Sequence, residues 1–311
     1  MSPPLILALP DFVSNSYFPA IAALQLGEFE RAGLHVELRT VFPAPACYTA
    51  LRDGQVDLVA GSAHLPLTAL DDWTDMKLLC ALSQGMYWFL VMRADLGTTR
   101  GDVSAVKGRR IIAAPGIDLG FQQLLVSAGI DAERDDVRIV RLPDKLRGDD
   151  SFGVAAARAC VAGFADGFWA NGMAAAVAVA SGDAAVVLDV RRGDGPSDTF
   201  SFTAPTLAAR TSWVEANPVA AAAAVRAINH THARLRADPE LAFEVAQPWF
   251  PPEEARLITN LVRADLPYYR TALSQAFIDS MQRFAMRLNL TRQIAPYQDV
   301  VAGVCVPEWE S

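Results

Sequence analysis

Residues Leu5 to Leu9 form an uninterrupted apolar run of strand length, and Pro10-Asp11-Phe12 breaks it. Ser14, Asn15 and Ser16 then stand where a helix start needs a capping oxygen. Pro19 falls in that helix's first turn, and Ile21, Leu24, Leu26 and Phe29 give it an apolar face. Gly33 closes it. From Leu34 to Val41 the period changes to two: Leu34, Val36 and Leu38 alternate with His35, Glu37 and Arg39, which predicts a second strand. A helix follows from about Pro45 to Asp53, with Gly54 ending it. A strand over Val56 to Ala60 leads into Gly61-Ser62-Ala63-His64, and a helix is predicted from about Leu65. Leu78 to Ser83 and Tyr87 to Arg93 read as two further strands. Strand, helix, strand, helix, strand is the order of an open α/β lobe.

The pattern then restarts. Strands are predicted over Ile111 to Ala114, Val137 to Leu142, Phe168-Trp169 and Ala185 to Val190. Helices are predicted from about Leu119 to Ser127, from Val154 to Ala162 and after Asn171-Gly172. Pro143 to Ser151 reads as a loop, and Arg191 to Asp198 as a turn rich in Gly, Pro and charge. One more strand is expected over Phe200 to Ala209. A helical tail follows, punctuated by prolines 218, 239, 248, 251, 252 and 267.

A chain of 311 residues is long for one core and comfortable for two lobes. The formal net charge of −8, with basic residues scattered along the chain, excludes the clustered Lys and Arg that a nucleic-acid partner requires. No run of about 18 apolar residues predicts a membrane span. The N-terminus lacks the basic, apolar and small-residue segments of an export signal. That leaves two expectations: a periplasmic or extracytoplasmic protein whose signal has been removed, or a cytoplasmic one. Cys47, Cys80, Cys160 and Cys305 are far apart and share no metal-type spacing, so neither a metal nor a cofactor is expected.

Four segments, taken in order, resemble one family. They are Asp11 to Phe18 opening a helix that ends Gly27-Glu28-Phe29-Glu30-Arg31-Ala32-Gly33-Leu34, and Ala50-Leu51-Arg52-Asp53-Gly54-Gln55-Val56-Asp57-Leu58 closing on Gly61-Ser62. Then come Val106-Lys107-Gly108-Arg109-Arg110-Ile111 before a Pro-Gly turn, and Gly163-Phe164-Ala165-Asp166-Gly167-Phe168. The series resembles the periplasmic solute-binding proteins of nitrate, sulfonate and taurine ABC importers, including the branch related to thiamine-pyrimidine synthesis proteins. The resemblance implies a two-lobed type II periplasmic-binding fold in which the chain crosses between lobes twice. Residues 1–90 and 197–311 would form lobe one and residues 91–196 lobe two. It also implies a small-molecule ligand in the interlobe cleft and ABC permease subunits as partners if the protein is exported. A monomer is expected.

In open α/β sheets ligands sit beyond the C-terminal strand ends, near helix starts. That rule selects four loops. In the first, Ser14, Asn15 and Ser16 offer polar groups beside free helix N–H groups, and Tyr17 and Phe18 can stack on a ring; helix capping alone would also account for the serines. In the second, Gly61 lets the backbone approach a ligand, Ser62 can hold an anion, and His64 can bond the ligand or titrate near neutral pH; the plain alternative is a capped turn with a structural histidine. In the third, Tyr87 and Trp88 precede the crossover strand, and strand alternation would let at most one of them, Trp88 among the candidates, face the cleft rather than the core. In the fourth, Trp169 and Asn171 are the better ligand candidates, Asp118 reads as an N-cap, and Arg192 is a cation for an acid group or else a solvated surface arginine. The same fold also carries enzymes, including a desulfinase that uses a cysteine and a decarboxylase. Cys47 and His64 are therefore the candidates for a catalytic alternative, provided something depresses the thiol pKa.

Overall fold

The computed structural model describes residues 3–12, 16–147 and 151–303. The first quarter of the chain lays down β1 (Leu5–Leu9), α1 (Phe18–Gln25), α2 (Glu28–Arg31), β2 (Val36–Thr40), α3 (Ala44–Arg52), β3 (Leu58–Ser62) and β4 (Met76–Ala81). Residues with period-two alternation form the edge strand β2, which buries Val36 and exposes its neighbours. The short apolar runs form strands covered on both faces, β3 being buried along its whole length.

A second sheet follows from β5 (Phe89–Arg93), β6 (Arg110–Ala113), β7 (Arg138–Val140), β8 (Gly167–Ala170) and β9 (Ala184–Asp189). Helices α4 (Asp118–Ser127), α5 (Asp144–Arg147), α6 (Phe152–Val161) and α7 (Gly172–Ala180) lie between its strands. The chain then returns through β10 (Pro205–Arg210) to a tail made of α8 (Thr211–Ala216), α9 (Pro218–Ala237), α10 (Leu241–Ala246), α11 (Pro252–Asp265), α12 (Gln275–Arg287) and α13 (Tyr297–Val300). The strand orders are β2-β1-β3-β10-β4 and β7-β6-β8-β5-β9. Each sheet thus takes in one antiparallel strand that arrives from the other: β5 lies between β8 and β9, and β10 between β3 and β4. This is the two-lobed α/β architecture with a helical C-terminal segment that the strand-helix order implies.

Several local expectations change. The helix predicted from Leu65 is one 3-10 turn, Leu65–Thr68. The loop expected over Pro143 to Ser151 contains α5, whose Asp144 at its start and Arg147 at its end suit the helix dipole. The strand expected from Phe200 begins only at Pro205, because Thr199–Ser201 winds into a 3-10 turn.

The two crossovers are tied to the tail. Arg191, whose side chain is 1% exposed, donates from Nη1 to Asp265 Oδ2 (2.8 Å) and from Nη2 to Ser83 Oγ (2.8 Å). Arg192 donates from Nη2 to Asp265 Oδ1 (2.7 Å) and from Nη1 to Asp189 Oδ2 (3.1 Å). The reading of Arg192 as a solvated surface arginine is therefore corrected: its partner lies at the end of α11, far away in sequence. The tail also holds the N-terminal part of the chain directly, through Arg234 Nη1 to Glu28 Oε1 (2.9 Å) and His232 Nε2 to the Leu82 carbonyl (2.9 Å).

Candidate functional site

A narrow cleft of about 40 Å³ lies between the two sheets. Pro10, Asp11, Tyr17, Phe42 and Ala44 form one wall, and Tyr87 and Trp88 of the first crossover form the floor. The opposite wall is built from Ile117, Phe152, Gly153, Trp169 and Asn171. The two walls touch each other beside this space. The Phe42 and Phe152 rings stack with centroids 6.0 Å apart, and a side chain at Gly116 would come within 2.8 Å of Pro45 Cγ.

Helix starts converge on this space. Tyr17 is the N-cap of α1, Ala44 opens α3, Ile117 is the N-cap of α4, Phe152 opens α6 and Asn171 is the N-cap of α7. First-turn N–H groups lack intrahelical acceptors, so the wall favours oxygen or nitrogen lone pairs on whatever enters. Trp169 lines the same space; its side chain is 0% exposed and its indole Nε1 has no partner among the described residues. A buried donor left this way costs stability unless a ligand or water meets it.

Of the residues singled out from the sequence, Tyr17, Trp88, Trp169 and Asn171 line the cleft. Asn171 Oδ1 is already engaged, accepting from Ala174 N–H at 3.2 Å. Ser14 and Asn15 lie outside the described residues. Ser16 is fully buried, and its Oγ makes no hydrogen bond among the described residues. It does not cap α1, whose N-cap is Tyr17 without a side-chain bond.

Ser62 and His64 stand behind the lining. Ser62 Oγ is 2.8 Å from Tyr87 Oη, which in turn is 2.8 Å from Tyr17 Oη, so the serine holds two lining phenols in place. Burial pushes the Tyr87 phenol up to about 12, so this hydroxyl stays protonated at pH 7. His64 is fully buried, with Nδ1 3.0 Å from Thr203 Oγ1 and its ring edge-on to Trp88 and Phe284. Burial pushes its pKa down to about 4, tempered by the Gly116 backbone, so it does not titrate near neutral pH.

Three further expectations are corrected. Tyr87 and Trp88 both line the cleft, because they lie in the irregular segment before β5, where strand alternation does not apply. Gly61 admits Tyr48 rather than a ligand: a Cβ there would sit 2.5 Å from the Tyr48 hydroxyl, which donates to the Ser62 carbonyl. Asp118 is not the N-cap of α4 but lies in its first turn, accepting from Arg141 Nη2 at 2.8 Å. Phe42 and Phe152 were not singled out. Their one sequence signal is position, an aromatic residue beside a helix start.

Cys47 lies in α3 outside the lining, donates its thiol to the Val41 carbonyl at 3.1 Å, and is pushed up to about 12, chiefly by burial. A thiol raised this far stays protonated at pH 8. Cys47 is expected to resist maleimide in the native protein at pH 8 and to react once the chain is unfolded; rapid native labelling would restore the catalytic alternative.

No protein-family model and no curated protein matches this sequence. Solved structures do match. The alkanesulfonate-binding protein SsuA from Xanthomonas axonopodis pv. citri, bound to MOPS, superposes with a TM-score of 0.73 at 16% identity over 96% of this chain and 99% of its own. The periplasmic nitrate-binding protein NrtA from Synechocystis PCC 6803 superposes with a TM-score of 0.69 at 15% identity over 95% and 83%. A DSZB mutant in complex with biphenyl-2-sulfinic acid gives 0.64 at 17% identity over 96% and 97%. Identities this low speak to architecture, and the coverage is nearly complete on both sides: the chain has the two-lobed fold of periplasmic solute-binding proteins such as SsuA and NrtA.

Proposed function

We propose that this protein is the solute-binding component of an ABC importer and that it captures a small organic solute, flat or aromatic and bearing an acidic or other acceptor group, in the interlobe cleft. The observation that carries this reading is the buried Trp169 indole, a cleft-lining donor without a partner among the described residues, set among aromatic rings and helix starts. In this reading residues 1–90 with 197–311 and residues 91–196 are the two bodies that close on the solute, hinged in the connecting segments. The protein acts as an extracytoplasmic monomer that hands its solute to permease subunits. Capture needs no covalent chemistry: the rings take the flat face, the helix starts and the indole orient the acceptor group, and closure excludes water.

The reading is tested by thermal-shift screening with aromatic acids, sulfonates and pyrimidines. A solute at a hundredfold excess over its Kd is expected to raise the melting temperature by roughly 5 °C. Trp169→Phe, which keeps a ring and removes the donor, is expected to lose most of that rise. Turnover of the bound solute would replace capture by catalysis, and equal responses from parent and Trp169→Phe would remove the indole from the site.

A further inference from the structure

The walls of the cleft meet at two places, and one of them turns on Phe42. The Phe42 and Phe152 rings lie with their planes 20° from parallel, and the Arg147 guanidinium, at the end of α5, lies 3.8 Å from the Phe42 ring centre. At the other place Gly116 packs against Pro45 and Leu65, where a Cβ would stand 3.2 Å from Leu65 Cδ2. Phe42, Pro45 and Leu65 come from segments joined to the strands of the first sheet. Gly116, Arg147 and Phe152 come from segments between strands of the second. Holding a long arginine in one place costs rotamer freedom, so an arginine beside solvent needs a reason to lie still. The neighbouring Arg141 has one, since it pairs with Asp118. Arg147 is half-buried and makes no ion pair among the described residues; what it rests on is the Phe42 ring. A planar guanidinium lies flat on such a ring and is attracted by its quadrupole. Phe42 lines the cleft, but Arg147 does not, so the arginine acts on that space through the ring alone.

We infer that Arg147 is a positioning residue for solute capture: by lying on the Phe42 ring it latches the two walls of the cleft together without touching the solute. This rests on the reading that two bodies close on a solute, and it names the contact that favours their closed arrangement. When the walls part, the guanidinium leaves the ring and regains water, so the latch adds a modest, reversible bias toward closure.

Pulsed electron spin resonance between nitroxides on cysteines placed at Val126 and Val219 tests it, in a Cys305→Ser background. Both valines are exposed, one on α4 and one on α9, and Cys47, Cys80 and Cys160 are buried. Without solute the parent protein is expected to show a major short distance and a minor longer one. Arg147→Met keeps the apolar stem and removes the guanidinium. It is expected to raise the ratio of long to short about threefold to fivefold, the size of one partly exposed cation–π contact. Arg147→Lys, which keeps the charge without the planar group, is expected to fall between the two. In a Phe42→Leu background Arg147→Met is expected to add nothing, because the ring it acts on is gone. An unchanged ratio in Arg147→Met, or an equal shift with and without Phe42, overturns the inference and leaves the capture reading standing. A single distance in every variant would show that the walls do not part, and overturns the closing of the two bodies and the latch together.

Discussion

Asp265→Ala is expected to destabilise the protein by about 3–5 kcal/mol, the usual cost of removing one partner from a buried ion pair. Asp265 receives Arg191 on one carboxylate oxygen and Arg192 on the other, and the Arg191–Asp265 pair is sealed, with side chains 1% and 3% exposed. The alanine variant leaves Arg191 buried with only the hydroxyl of Ser83 and the carbonyl of Gly85 to receive it, and neither carries a charge. Because that arginine joins both crossovers to α11, the loss also loosens the connection about which the lobes would move. Chemical denaturation checks the first part, as a lower midpoint. X-ray scattering of the unliganded protein checks the second, as a larger radius of gyration. The double variant Arg191→Met/Asp265→Leu is expected to recover most of the stability, because an apolar pair of similar volume removes the unpaired charge. A midpoint unchanged in Asp265→Ala would show that the pair is not buried as described.

Gly120→Ala is expected to damage the site although alanine is the better helix former by about 1 kcal/mol. Gly120 lies in the first turns of α4, and a Cβ there would stand 2.3 Å from Trp88 Cζ3 and 2.8 Å from Cε3. Trp88 cannot retreat easily: Tyr87, His64 and Trp169 pack around it, and it is 1% exposed. The open direction is the cleft it lines, so the ring would move into the space a solute needs. The expected outcome is a net loss of about 1–3 kcal/mol in stability, as for overpacked cores, with solute affinity falling by about tenfold. Denaturation and titration measure the two effects separately. A more stable variant with unchanged affinity would mean that Trp88 does not sit against α4.

The strands and helices were legible because they rest on local rules. Leu5 to Leu9 read as a buried strand from its apolar run, and the alternation of Leu34, Val36 and Leu38 marked a second strand, which the sheet order places at an edge. The cleft lining was legible in outline: Tyr17 and Asn171 stand where a strand gives way to a helix, Trp169 near the end of β8, and Trp88 in the segment between β4 and β5. The misses share a physical cause: they depend on partners distant in sequence. Gly61 looked like room for a ligand until Tyr48 was found filling it. Arg192 looked solvated because Asp265 is 73 positions away. His64 looked titratable because nothing local announces that α12 and the second crossover bury it, through Phe284 and Thr203.

The insertion of β10 between β3 and β4 bears on the order in which the two halves can form. The second sheet is assembled from a continuous stretch, β5 to β9, and needs nothing synthesised later to complete its strand order. The first sheet cannot close until residue 210 is available, because β3 and β4 share no hydrogen-bonded edge and each waits for β10. During synthesis the N-terminal strands therefore spend more than a hundred residues' worth of elongation with open edges, the exposure that invites mispairing. The half of the molecule that emerges first is the half that finishes last.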